Sequence, residues 1–187
     1  MNFGLHRWQP PLRLRRRPGA LLLAAALASV VLLALPALAA PASSAQILGQ
    51  VQRVVDGDTL WLQPADGGAP FSVRLRGIDA PEICQPWGPE ARRVLADRAL
   101  GREVALQGSA RDDHGRVLAT VLLDGVDLNE ELVTGGHAWN TRFKRDPGRY
   151  AKQENIARAL GRGLHAAGGA QSPREFRRSQ GPCPHGG

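Results

Sequence analysis

Three extended runs follow one another with only short turns between them, and this succession constrains the fold more than any other feature of the chain. Residues 47–55 alternate loosely between apolar and polar side chains and read as a strand. Residues 58–63, with Thr59, Leu60, Trp61 and Leu62, favour extended structure and read as its partner. Asp66-Gly67-Gly68 marks a turn within 64–70, and 71–78 reads as a third strand. On that strand Phe71, Val73 and Leu75 share one face, while Arg74 and Arg76 share the other. Helical spacing appears only later, where Ala91, Val94, Leu95 and Ala99 recur over 88–100 and Gly101 stands at the stop. Further strands are expected at 102–107 and 116–123. A short helix is expected at 127–134, with Asp127 as its cap and Glu130 at the capping-box position. A third helix is expected at 149–163, with Ile156, Leu160 and Ala157 turned to the core. Strands first and helices interspersed, without strand–helix–strand alternation, predict an α+β, mainly β fold: a barrel with about three helices packed on it. The Gly-, Pro- and Ser-containing end of the chain, 168–187, reads as a tail, with 179–187 as its flexible last part.

The first 39 residues stand apart from this pattern. Arg7, Arg13, Arg15, Arg16 and Arg17 form a positive, acid-free start, 19–35 is an apolar run, and Ala37-Leu38-Ala39 is a small-x-small cleavage signal. This reads as a signal peptide, followed by a small and polar linker at 40–46 and one domain over 47–178. The uncharged stretch is also long enough to be an uncleaved N-terminal anchor on the outer face of the inner membrane. Either way the domain is expected outside the cytoplasm, periplasmic or secreted, because the arginines stay inside. The formal charge of +7 belongs mostly to this leader. Beyond it, 19 basic residues face 17 acidic ones, and they are segregated: 40–136 carries 9 basic against 14 acidic, 137–187 carries 10 against 3. An acidic part suits a metal site, and a basic part suits a polyanion surface; a merely solvated basic helix would look the same. Two cysteines, Cys84 and Cys183, are open to a disulfide in an exported domain, or are two separate thiols, and their spacing fits no zinc motif.

Chemistry concentrates between Val55 and Glu82. Asp56-Gly57-Asp58-Thr59 is followed by Arg74-Leu75-Arg76-Gly77-Ile78-Asp79-Ala80-Pro81-Glu82. Clustered carboxylates repel one another unless a cation joins them. Oxygen ligands without a His or Cys cluster favour a hard cation such as calcium. Pro81 fixes the turn after Asp79 and extends Ala80, aiming the Asp79 carboxylate and the Ala80 carbonyl outward. A guanidinium beside such a site suits phosphate. Carboxylates for a metal and arginine for phosphate are what phosphodiester cleavage requires. Taken singly, each piece has a plainer reading: an ordinary Asp-Gly turn, a surface glutamate, a solvated arginine.

Read together with Asp112-Asp113-His114-Gly115-Arg116, these motifs resemble the staphylococcal (micrococcal) nuclease family, the thermonucleases, in order and spacing over about 47–178. The resemblance implies a five-stranded OB-type barrel capped by helices, and calcium-dependent cleavage of DNA and RNA to 3′-phosphate ends. By motif position, Asp58 and Asp79 would be calcium carboxylates and the Ala80 carbonyl a third ligand. Glu82 would act on the attacking water, while Arg74 and Arg116 would hold the scissile phosphate. Asp56 falls outside the direct ligands, on a metal-bound water or behind the ligands.

The chain departs from the family pattern where the archetype has tyrosines near the site. His114 takes one such place, and the segment with Trp139, Arg142 and Phe143 replaces the others. Any of these side chains could meet a base, and Trp139 could equally be core. The alternative to an enzyme is a non-catalytic OB-type module that binds nucleic acid or protein. The full set Asp58, Arg74, Asp79, Glu82 and Arg116 argues for the enzyme, acting as a monomer on nucleic acid, with a membrane contact only if the leader is retained.

Overall fold

In the computed structural model of the protein, the described residues are 46–166, 168, 170–181 and 183. The expected leader and nearly all of the linker lie outside them. Strand β1 (Ile47–Asp56) pairs antiparallel with β2 (Thr59–Pro64), and β2 with β3 (Phe71–Leu75). After the two-residue β4 (Ile78–Asp79) comes helix α1 (Gly88–Ala99), then β5 (Glu103–Gln107) and β6 (Val117–Leu123). Strand β5 pairs with β1 and with β6, and β6 returns to run parallel to β3, in register Val73 with Val117. That last pairing closes a five-stranded barrel and removes its free edges. The expected barrel is therefore found, but the third strand, expected over 71–78, ends at Leu75: a turn at Arg76 and Gly77, whose φ is 83°, separates it from β4.

The barrel interior follows the period of two. Leu60 and Leu62 of β2 are fully buried while Trp61 between them is 38% exposed. Val73 and Leu75 do the same on β3, joined by Val51, Leu106, Ala119 and Val121. Helix α1 covers one end with Ala91, Leu95 and Ala99, the spacing expected of it. Short strand β7 (Val126–Asp127) leads into α2 (Leu128–Thr134), whose cap is Asp127, accepting the N–H of Glu130. Buried Asn129 of α2 accepts the Val121 N–H at 3.1 Å and donates to the carbonyls of Arg76 and Ala119, tying α2 to the barrel wall.

Helix α3 (Ala151–Ala159), preceded by β8 (Trp139–Asn140), differs from expectation. Its buried face consists of Glu154 and Ala157, with Tyr150 just ahead of it, whereas Ile156 is 39% and Leu160 61% exposed. Residues 150, 154 and 157 share one stripe of a helix, and the fully buried Tyr150 sets that stripe inward. Its hydroxyl donates to Asp127 Oδ2 at 2.9 Å; burial, then that bond, pushes the phenol up to about 12. Buried Glu154 is tolerated because Arg158 pairs with it at 2.6 Å.

A fourth helix, α4 (Pro173–Gln180), lies within the stretch read as a tail. Ser172 and Glu175 form a full capping box, with Pro173 in the first turn. Cys183 beyond it is bonded to Cys84, so the disulfide is formed. Among the described residues no helix is long and apolar enough to cross a membrane.

Candidate active site

The turn between β1 and β2 carries the first acids. Asp56 Oδ1 accepts the N–H of Asp58 at 3.0 Å, shaping the turn. A Cβ at Gly57 would lie 2.7 Å from the Cβ atoms of both Ala80 and Ala91, so only glycine lets this turn seat against Ala80 and α1. The close approach delivers Asp58 to the second motif. Its side chain is 1% exposed, with Oδ2 accepting the Ala80 N–H at 2.6 Å and Oδ1 accepting the Thr59 hydroxyl at 3.1 Å.

Strand β3 supplies the cation. Arg74 stands opposite Thr59 in the β2–β3 register. Its Nη1 pairs with Asp58 Oδ1, and its Nη2 with Asp79 Oδ1 at 2.7 Å. One guanidinium thus bridges two carboxylates that would otherwise repel. Arg76, on the same face in the sequence pattern, is exposed, whereas the Arg74 side chain is 20% exposed and engaged. Asp79 sits on β4, held against Trp139 of β8.

Arg116 precedes β6, at the end of the strand that closes the barrel beside β3. Asp112 fixes it twice, accepting from its backbone N–H at 2.9 Å and from Nε at 2.8 Å. Burial alone would raise the Asp112 carboxyl, but the bonds from Arg116 and His114 leave it below its ordinary value. Asp56 behaves oppositely. Burial raises its carboxyl, against the charge of Arg74, a bond from Thr59 and the charge of Arg116. Both guanidiniums therefore act on the same half-buried acid.

Glu82 follows buried Pro81 at the rim. Its N–H donates to Gln85 Oε1 at 3.2 Å. A Cβ at Gly88 would fall 1.9 Å from the Glu82 carbonyl oxygen, so α1 starts directly against this loop. The Glu82 carboxylate pairs with Arg177 of α4, a residue that no motif singles out.

The structure brings Asp58, Arg74 and Asp79 into direct contact, with Asp56 and Arg116 within electrostatic reach. The Ala80 contact with Asp58 is through its amide N–H. His114 is exposed in the 112–115 turn. Trp139 is 9% exposed, edge-on to His165 with ring centroids 6.5 Å apart, so packing takes up the ring that was a candidate for stacking on a base. Arg142 is 63% exposed and reaches Glu154 at 3.5 Å. Next to it Phe143 is 71% exposed with Lys144 over its ring.

The donor set fits a hard divalent cation. It is all oxygen, and two of its carboxylates already converge on one positive group. Among the described residues no three His, Cys, Asp or Glu side chains form a metal-binding group. The remaining ligands would be a backbone carbonyl, water and substrate oxygens, which calcium's six to eight loosely arranged ligands accommodate.

Comparison with known proteins gives a consistent picture. Residues 72–166 match the family described as "Staphylococcal nuclease homologue". That stretch holds Arg74, Asp79, Glu82 and Arg116, while Asp56 and Asp58 precede it. The chain is 34% identical over 110 residues to "Probable staphylococcal-like nuclease CAN2" of Oryza sativa subsp. japonica, covering 59% of this chain and 30% of that protein. It thus spans between about a fifth and a third of the length of the rice relatives it matches. An "Uncharacterized endonuclease" of Haemophilus influenzae is 35% identical over 132 residues, 70% of this chain and 73% of the relative. "Protein ParB" of Escherichia coli is 34% identical over 177 residues, 88% of this chain and 95% of the relative.

Proposed function

The chain belongs to the staphylococcal nuclease family, and on that premise we propose that it is an exported, calcium-dependent nuclease hydrolysing phosphodiester bonds of DNA and RNA. The observation that carries this reading is the convergence of Asp58 and Asp79 on Arg74, with the Ala80 amide fixing the buried Asp58. Carboxylates held at this spacing would take a divalent cation, with the Ala80 carbonyl as a further ligand and Asp56 behind them. Bound there, calcium would act as a Lewis acid on the phosphate oxygens.

The chain's own residues do the rest. Glu82 orients the attacking water and takes its proton as general base. Arg74 and Arg116 hold the phosphate and stabilise the charge that grows on its equatorial oxygens as water adds and the ester bond breaks. Asp112 pre-sets Arg116, so less ordering is left for the bound state. By family likeness the cleaved strand keeps a 3′-phosphate. The exposed Phe143, with Arg142 and Lys144 around it, offers one ring and two cations to a single strand. The Cys84–Cys183 disulfide supports an oxidising compartment, in keeping with an export leader. N-terminal mass spectrometry separates a cleaved leader from a retained anchor.

The test is cleavage of single-stranded DNA, plasmid and RNA with calcium, with magnesium and with chelator. Cleavage only with calcium is expected. Binding of DNA without cleavage at millimolar calcium would instead identify a binding module.

A further inference from the structure

Glu82 is gripped from two sides. The loop holds its backbone: Gln85 accepts from the Glu82 N–H at 3.2 Å, and the Gln85 N–H donates back to the Glu82 carbonyl at 2.8 Å. Its carboxylate Oε1 pairs with Nη1 of Arg177, ninety-five positions later in the chain. A contact that distant requires α4 to be held firmly, and its anchors lie next to Glu82 itself. Cys84 bonds Cys183, three residues past the last residue of α4. Gln85 Nε2 donates to the carbonyl of Gln171, one residue before the helix cap, at 2.6 Å. The helix is thereby fastened at both ends to residues 84 and 85, and its first turn is locked by the Ser172–Glu175 capping box. A helix anchored in this way presents Arg177 to one place.

We propose that Arg177 is a positioning residue for Glu82, delivered by the disulfide-anchored helix α4. The proposal rests on the reading of Glu82 as the group that acts on the attacking water. A glutamate has three freely rotating side-chain torsions, and base catalysis needs one arrangement of them. A planar guanidinium carried on a rigid element selects that arrangement. The Glu82 side chain is 25% exposed, so part of it stays accessible while Arg177, itself 45% exposed, pairs with its carboxylate. The disulfide then serves catalysis as well as stability, because it fixes the helix that carries the arginine.

The experiment is steady-state cleavage of a short single-stranded DNA by the full chain and five variants. These are Arg177→Gln, Arg177→Lys, the double variant Cys84→Ser/Cys183→Ser, Glu82→Gln, and Glu82→Gln combined with Arg177→Gln. Arg177→Gln is expected to lower kcat on the order of 10–100-fold with KM changed less than about twofold. Arg177→Lys should recover part of the loss. The double cysteine variant, folded by circular dichroism, should lower kcat in the same way. Arg177→Gln should add nothing further in the Glu82→Gln background. Unchanged kcat in Arg177→Gln with an impaired Glu82→Gln overturns the proposal alone. A rise in KM without a fall in kcat also overturns it, since Arg177 would then contact substrate; so does a rise in kcat, which would make the contact a restraint. An unimpaired Glu82→Gln overturns both the proposal and the reading of Glu82 beneath it.

Discussion

The Ala80 N–H donates to Asp58 Oδ2 at 2.6 Å, joining two motifs twenty-two positions apart in the chain. This bond does more than decorate a turn. Asp58 is nearly inaccessible to water, and a buried carboxylate is tolerable only with donors and a positive charge around it. Backbone amide, threonine hydroxyl and Arg74 together supply these needs.

Replacing Arg74 with Gln should therefore destabilise the protein even without substrate. Removing one partner from a buried ion pair costs about 3–5 kcal/mol, and the lower end applies because Arg74 is one-fifth exposed. Millimolar calcium should raise the melting temperature of the variant more than that of the parent, since the two carboxylates have lost their internal cation. Thermal unfolding with and without calcium checks this. Equal melting temperatures for variant and parent would mean that Arg74 does not hold the two acids.

Arg116→Ala should leave the fold intact and lower the cleavage rate on the order of 10²–10³-fold, the loss typical of one donor to a developing oxyanion. The side chain is 30% exposed and its partner Asp112 can turn to water, so stability should hardly change. Asp112→Asn, which loosens Arg116 without removing it, should have a smaller effect in the same direction. Single-turnover rates on one oligonucleotide rank the three proteins.

Cys183→Ser opens a loop closed across ninety-nine positions. The chain-entropy view assigns a bridge of that span about 4–5 kcal/mol. A drop of this order in unfolding free energy is expected by denaturant titration. The barrel strands should persist in circular dichroism, because they pack without α4.

His137 gives the fold a pH dependence. Its Nδ1 accepts from Trp87 Nε1 at 3.2 Å, and the two rings stack. Burial, and after it the charge of Arg93, hold its pKa below the ordinary 6.5. The unfolded chain therefore takes up the proton first as pH falls. The contribution of this histidine is complete above pH 6.5 and is lost as pH drops through the lowered folded value. Stability should fall in that window, and His137→Asn, which keeps an acceptor but cannot titrate, should flatten the slope. An unchanged slope in the variant would assign the pH dependence elsewhere.

The barrel and the acids are legible in the sequence for the same reason: both are local. Asp58 and Arg74 sit on or beside consecutive antiparallel strands, where a period of two and short turns nearly dictate which side chains meet, and Asp79 follows Arg74 by only five positions, across one turn. Arg177 is illegible because its contact with Glu82 spans most of the domain and depends on a covalent bridge. Its helix did leave a signal, the Ser172-x-x-Glu175 box with Pro173, masked by the Gly and Pro around it. Helix α3 misleads for another reason. Apolar Ile156 and Leu160 look like its inner face, but Tyr150, Glu154 and Ala157 are buried, and the carboxylate is admitted by its arginine partners. Composition alone does not reveal such pairing.

The most direct measurement of the central claim is cleavage of single-stranded DNA by the parent protein and by Asp58→Asn/Asp79→Asn, across a calcium titration ending in chelator. Cleavage should rise with calcium, stop with chelator, and be lost by orders of magnitude in the double variant while DNA binding persists. Cleavage by the parent that is indifferent to calcium and chelator, or a double variant as active as the parent, would contradict it.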